Sequence, residues 1–276
     1  MTVVLSLLAA LSWGTGDFFG GVASRHGRAT AVTGASQITG MVAVLVLAPF
    51  IGGTPAGSDF GWGAVAGISG GFGLLFLYRG MAVADIGLVV PVAAIGTGVF
   101  PLIFDVVTGE LPGPLEWVGV VLALAAIWLV SYRSDPRHGG GASGLLFGLG
   151  AGVGFGGLLV GLSRISEAAG IWPLAATRFV GAIVVLVIAG LTHQQLKPLR
   201  GSWSAIIPAA TLGVVGNSFF LFASQEGPLA IAAVIGALFP AVTVLLARFV
   251  LQETLTPTRI LGLVTALAAV AFLSLG

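Results

Sequence analysis

Gly119–Ser131 reads GVVLALAAIWLVS, and Gly262–Ser274 reads GLVTALAAVAFLS. Seven of the 13 aligned positions are identical, at an offset of 143 residues. The same offset pairs Gly14 with Gly157, Gly70 with Gly213, Gly73 with Gly216, Phe76 with Phe219, Glu110 with Glu253 and Pro114 with Pro257. Stretches rich in Ala, Leu and Gly match by chance, but chance does not hold one offset from Gly14 to Ser274. The chain therefore reads as two copies of one plan. Between Val118 and Val130 there is no polar side chain, and between Leu261 and Leu273 there is only Thr265. Runs of this kind suit helices whose solvent is lipid.

Composition extends that reading to the whole chain. Apolar residues make up 57% of the 276 and charged residues only 8%, with 11 basic and 10 acidic side chains. That is roughly a third of the charge in a soluble domain, too little to cover a water-facing surface. A disordered chain would be less apolar. A net charge of +1 offers nothing to offset phosphates, so nucleic acid is excluded as a partner. With no cysteine, thiolate metal sites and disulfides are excluded too, and no cofactor is expected. The partners expected are a small-molecule substrate and the bilayer, for a monomer or a homodimer.

Charges, glycines and prolines punctuate ten apolar spans, at about 2–22, 30–50, 60–82, 86–107, 114–132, 143–164, 171–191, 203–224, 228–250 and 257–275. No Lys or Arg precedes Arg25, so the first span is read as a permanent helix and not a cleaved signal. Five spans per copy is an odd number, so the second copy enters the bilayer upside down. The expectation is an all-α integral membrane fold of ten transmembrane helices, as two inverted five-helix repeats at 1–133 and 143–276 joined by a loop at 134–142. Inverted repeats related by an axis in the membrane plane are a common transporter plan. Nine basic residues (Arg25, Arg28, Arg79, Arg133, Arg137, Lys197, Arg200, Arg248, Arg259) fall on one side of these spans and only Arg164 on the other. Discounting Arg79, Arg248 and Arg259, which border spans, leaves six against one. The positive-inside rule then places both termini outside. Ten Arg against one Lys hints at a GC-rich bacterial genome, and so at a multi-pass protein of the plasma (inner) membrane.

The chain resembles the drug/metabolite transporter superfamily, EamA type, along essentially its whole length. Its marks are Ser12-Trp13-Gly14, Arg178-Phe179, Leu251–Thr256 and the following Gly262. The second copy departs from the pattern, with Phe155-Gly156-Gly157 where a second Trp-Gly would sit. The resemblance implies a five-plus-five inverted fold that carries small metabolites or drugs, often outward. It implies a central cavity lined by spans 1–4 and 6–9, with spans 5 and 10 outside. Many family members place both termini in the cytoplasm, the reverse of this charge pattern.

Two charges lie well inside the spans. Asp17 sits about 7 Å past the middle of span 1 at 1.5 Å per residue. A carboxylate at the bilayer centre costs roughly 2.5–3.5 kcal/mol. It is a candidate to exchange a proton for a cationic or polar substrate, or to form an ion pair with Arg79 or Arg25. Arg178, on the outer half of span 7, keeps its proton and needs an anion or several carbonyls. A substrate carboxylate or the end of a neighbouring helix would serve. Their opposite displacements, roughly 12 Å in all, argue against a direct salt bridge. Gln37, Tyr78 and Asn217 are further candidates for substrate contact or helix bonding. Trp13, one turn from Asp17, could stack on a planar or cationic solute. Glu110 and Glu253 suit the N-termini of spans 5 and 10. Gly144, Gly148, Gly152 and Gly156 mark a close-packed face, and Pro91, Pro101 and Pro240 mark hinges or kinks in spans 4 and 9.

The expected function is secondary active transport of a small metabolite or drug-like solute by alternating access, as export coupled to protons or by exchange. The alternative is a pore-forming or structural membrane subunit. Gly67-Ile-Ser-Gly70 matches an intramembrane serine protease motif, but His26, His138 and His193 lie in loops or at span ends. Gly152–Gly157 matches a dinucleotide fingerprint without a preceding strand. No enzyme is expected.

Overall fold

The computed structural model describes residues 1–26, 29–83, 86–131, 141–250 and 256–275. Among them there is no strand. The helices are α1 (Thr2–His26), α2 (Ala29–Ile51), α3 (Gly57–Val83), α4 (Ile86–Thr108), α5 (Pro114–Ser131), α6 (Gly141–Ser163), α7 (Pro173–Leu191), α8 (Trp203–Gln225), α9 (Leu229–Gly236), α10 (Phe239–Val250) and α11 (Pro257–Leu275). Among the described residues, seven stretches are long and apolar enough to cross a membrane: Thr2–Gly20, Thr30–Ile51, Gly57–Leu77, Ala142–Ser163, Pro173–Leu191, Arg200–Gln225 and Pro257–Leu275. Val92–Thr108, Pro114–Val130 and Leu229–Thr243 are shorter apolar helices. The bundle turns large apolar side chains outward all along its length, such as Val121 on α5 and Leu267 on α11, as a lipid-facing surface requires.

Glycine decides how these helices meet, because helices in lipid associate through close packing and not through expulsion of water. α6 carries two glycine seams. Gly148, Gly152 and Gly156 face α4: a Cβ at Gly152 would meet the Gly96 Cα at 2.7 Å, and one at Gly156 would meet the Phe100 Cβ at 2.5 Å. Gly150, Gly154, Gly157 and Gly161 face α3, where a Cβ at Gly154 would meet the Gly73 Cα and N. α6 is thereby wedged between α3 and α4. α5 and α11 pack on each other outside this core. A Cβ at Gly119 would lie 2.6 Å from Leu273 Cγ, and a Cβ at Gly262 would lie 2.6 Å from Val130 N. The other close pairings are α1 with α8, α9 and α10, α2 with α7 and α8, α3 with α7, and α4 with α9.

The ninth span is two helices and not one. α9 ends at Gly236, and α10 begins at Phe239. Pro240 has no N–H for the carbonyl of Gly236, and glycine is itself a weak helix former, so the ladder breaks between them. The Ala237 N–H closes α9 on Ala233 O at 2.8 Å. α4, which the sequence suggests is breakable at Pro91 and Pro101, runs unbroken. Its glycine seam with α6 clamps it on both sides of Thr97, whose carbonyl Pro101 leaves free.

One end of the bundle holds Met1 and Leu275 and is tied together. The Asp59 carboxylate accepts from the backbone and hydroxyl of Ser166 at 2.9 and 3.1 Å, and from Ala56 N at 2.7 Å. Asp105 at the end of α4 accepts from Ala230 N, in the first turn of α9, at 2.5 Å. Thr54 N donates to Ala168 O at 2.6 Å, and Gln225 Nε2 to Ile165 O at 3.3 Å. The Arg164 guanidinium stacks on Phe104, 4.8 Å from the ring centroid. Glu116, not the exposed Glu110, accepts at the start of α5, from Gly113 N at 2.6 Å. Glu253, Arg28, Arg133, Arg137 and His138 lie outside the described residues, as does most of the 134–142 loop.

Candidate functional site

Four of the polar candidates, Trp13, Asn217, Gln37 and Arg178, meet around α8. Its Gly216 removes the side chain that would collide with Trp13, since a Cβ there would lie 2.5 Å from the indole Cδ1. Gly236, the last residue of α9, does the same on the other side of the ring, at 3.0 Å from Cζ3. The indole thus lies in the α9–α10 break. Phe220 packs against it at 5.6 Å between centroids. The indole Nε1 donates to Asn217 Oδ1 at 2.9 Å, so the amide of a buried residue and the one donor of the ring satisfy each other.

Asp17 lies one turn from Trp13 on the same strip of α1. Gly14 faces α10, and Gly16 faces α8. At 100° per residue, Trp13 and Asp17 point between those two contacts. Leu11 and Val4, exposed at 50% and 55%, lie roughly 120–140° round the helix and face outward. Asp17 is itself exposed, and among the described residues it makes no hydrogen bond or ion pair. It lies three residues before Gly20, where the apolar stretch of α1 ends.

Arg178 reaches from α7 across α2 to α8. Its Nη1 donates to Gln37 Oε1 of α2 at 3.2 Å. Cδ and Nε lie 3.2 Å from where a Cβ of Gly40 would sit, and Nη2 lies 3.1 Å from the corresponding point of Gly213. Two glycines therefore open the channel that the guanidinium occupies. A Cβ at Gly16 would lie 3.6 Å from Gly213 N on another side of α8. Gly213 thus stands between the Arg178 guanidinium and the α1 residue next to Asp17, so the length of the side chain offsets much of the difference in helix depth. No ion pair between Asp17 and Arg178 is formed among the described residues.

The structure brings Trp13 together with Asn217 and Arg178 together with Gln37, on neighbouring turns of α8. Tyr78 and Pro91 lie on α3 and α4, but their side chains are outside those described. Pro240 is buried in the first turn of α10, and Pro101 is buried in α4. Sequence reasoning missed the burial of Asp59 and Asp105, at 2% and 3% exposure. Their partners are backbone N–H groups far along the chain, which no local signal marks. The serine of the protease-like motif, Ser69, packs into the α3–α6 seam against Gly157. Gly152–Gly157, the dinucleotide-like stretch, lies in the middle of α6.

No curated protein matches the chain. A solved crystal structure aligns over 99% of this chain and 96% of its own, with a TM-score of 0.80 and 17% identity, which shows a shared fold. The model of the EamA-like transporter family matches residues 1–132 and 142–275. The chain is a multi-pass membrane protein of the EamA-like transporter family.

Proposed function

We propose that the protein is a secondary active transporter that moves a small metabolite or drug-like solute by alternating access. In this reading it exports that solute across the bacterial plasma membrane, coupled to protons or by exchange. Its ten spans are two inverted five-helix repeats, with α9 and α10 forming one span. The observation that carries the reading is the reciprocal seam of α5 and α11. Gly119 meets Leu273 and Gly262 meets Val130, and each residue is its counterpart moved by 143. Such a contact is what a two-fold axis between antiparallel copies produces. The other pairings support it: α1 with α8 mirrors α6 with α3, and α2 with α8 mirrors α7 with α3. The family match in two segments agrees with it.

Alternating access needs one end closed while the other is open. The tied end, held by Asp59, Asp105 and the Thr54–Ala168 pair, is the closed gate in this state. The opposite end, the one nearer to Asp17, is the open one. The charge bias puts the tied end outside the cell.

The chain has no cysteine, so introduced pairs report alone. With Thr54→Cys and Ala168→Cys together, a disulfide holds the tied end shut. Solute flux in proteoliposomes is expected to fall at least tenfold on oxidation and to return on reduction. Full flux through the cross-linked protein would contradict alternating access. In intact spheroplasts, an impermeant thiol reagent is expected to label the reduced Thr54→Cys variant. Labelling only after lysis would reverse the orientation.

A further inference from the structure

The guanidinium of Arg178 is a half-buried donor array with few acceptors among the described residues. It carries five N–H groups and cannot shed its charge. Among the described residues it makes one hydrogen bond, to Gln37 Oε1 at 3.2 Å. Nε is buried without a hydrogen-bond partner among the described residues. The three helices around it, α2, α7 and α8, contain no Asp or Glu between Ala29 and Ile51, Pro173 and Leu191, or Trp203 and Gln225. Gln37 turns its carbonyl oxygen to Arg178, which leaves its amide nitrogen, seated against Gly181 of α7, as a further donor. A charge held in an apolar bundle without a counter-ion is costly, and an anion with several acceptor atoms offsets that cost more fully than neutral carbonyls do. Glycine at Gly40 and Gly213 makes the room that the Arg178 side chain itself fills, so two helices at once are shaped to hold the charge there.

We infer that Arg178 and Gln37 form an anion subsite inside the bundle and that the transported solute carries a carboxylate bound there. This rests on the transporter reading above and names its substrate class. A carboxylate accepts from the Nη groups and from the Gln37 amide. The indole of Trp13 and the Asn217 amide lie about one turn further along α8, near 6 Å, within reach of the rest of a small organic acid. Arg178 is then neutralised only when solute is present, which makes the loaded and empty proteins electrostatically different.

The test uses the full chain purified in detergent and matched probes: benzoate against benzamide, and lactate against lactamide, at equal ionic strength set by sodium chloride. A ligand that binds only the folded protein raises Tm as its concentration passes Kd. Benzoate or lactate is expected to raise Tm, and the amides to leave it unchanged. Arg178→Gln removes the response. Gln37→Glu is the second variant, which places a carboxylate on the guanidinium from within. It is expected to raise Tm without ligand and to weaken the benzoate or lactate response at least tenfold in concentration. The inference is overturned if neither acid shifts Tm, if the amides act as well as the acids, or if Gln37→Glu responds as the parent does. Flux of solutes without a carboxylate, unaffected by Gln37→Glu, would leave the transporter standing and remove the anion subsite. Acid-specific stabilisation with no flux of any solute would do the opposite.

Discussion

Gly154→Leu leaves no monodisperse protein in detergent, and Gly154→Ala already lowers Tm sharply. At Gly154 the backbones of α6 and α3 touch. A Cβ there would meet the Gly73 Cα, the Gly73 N at 2.5 Å and the Ser69 carbonyl oxygen at 2.9 Å. None of these is the flexible end of a side chain, so relief requires one helix to move away from the other. Overpacking a soluble core costs about 1–3 kcal/mol where side chains can give. Here the backbone must give, and separation forfeits contacts along the whole seam. Lipid supplies no hydrophobic force to press the helices back together. Gly61→Leu and Gly190→Leu are the controls, because a Cβ at either meets nothing within 4 Å. Both are expected to stay near the parent Tm. A Gly154→Leu protein that remained folded would show that the α3–α6 seam is not what holds the halves together.

Asp17→Asn abolishes proton-driven flux, at least tenfold, without changing Tm. Asp17 is exposed and makes no hydrogen bond or ion pair among the described residues, so folding is expected to lose little with its charge. An amide cannot release or take up a proton, so the coupling step is removed while shape is kept. The side chain points between the α8 and α10 contacts of α1, one turn below Trp13 and about 4.5 Å before the apolar stretch ends. A carboxylate there is near enough to water to exchange protons and near enough to the indole and to α8 to sense a solute. Flux through Asp17→Asn in proteoliposomes, with and without an imposed pH gradient, checks this. Equal gradient-driven flux in variant and parent would end the assignment.

The reciprocal α5–α11 seam was legible in the sequence. The 143-residue offset in Gly119–Ser131 and Gly262–Ser274 marks the two helices that pack reciprocally outside the core. The step of four from Gly148 to Gly156 marks the α6 face that meets α4. The second seam, from Gly150 to Gly161, was not legible, because with 44 glycines only the facing helix shows which of them are contacts. The break before Pro240 follows from its missing N–H. The continuity of α4 does not, since the α6 seam that clamps it is a tertiary effect. Asp59 and Asp105 read as charges near span ends, where water would solvate them. Their burial follows from distant backbone donors at Ser166 and Ala230. Of the candidate site, Trp13, Gln37, Arg178 and Asn217 could be named from polarity in apolar spans. Their pairing could not, because helical rise fixes the depth of a Cα and not the reach of an arginine.

The most direct test of the account is solute flux into proteoliposomes containing the purified chain, over a panel of labelled metabolites and drug-like compounds, with and without a proton gradient. At least one solute is expected to move with saturable kinetics that respond to the gradient and stop when the Thr54→Cys and Ala168→Cys pair is cross-linked. No flux of any solute, or flux that rises linearly with concentration and ignores the cross-link, would contradict it.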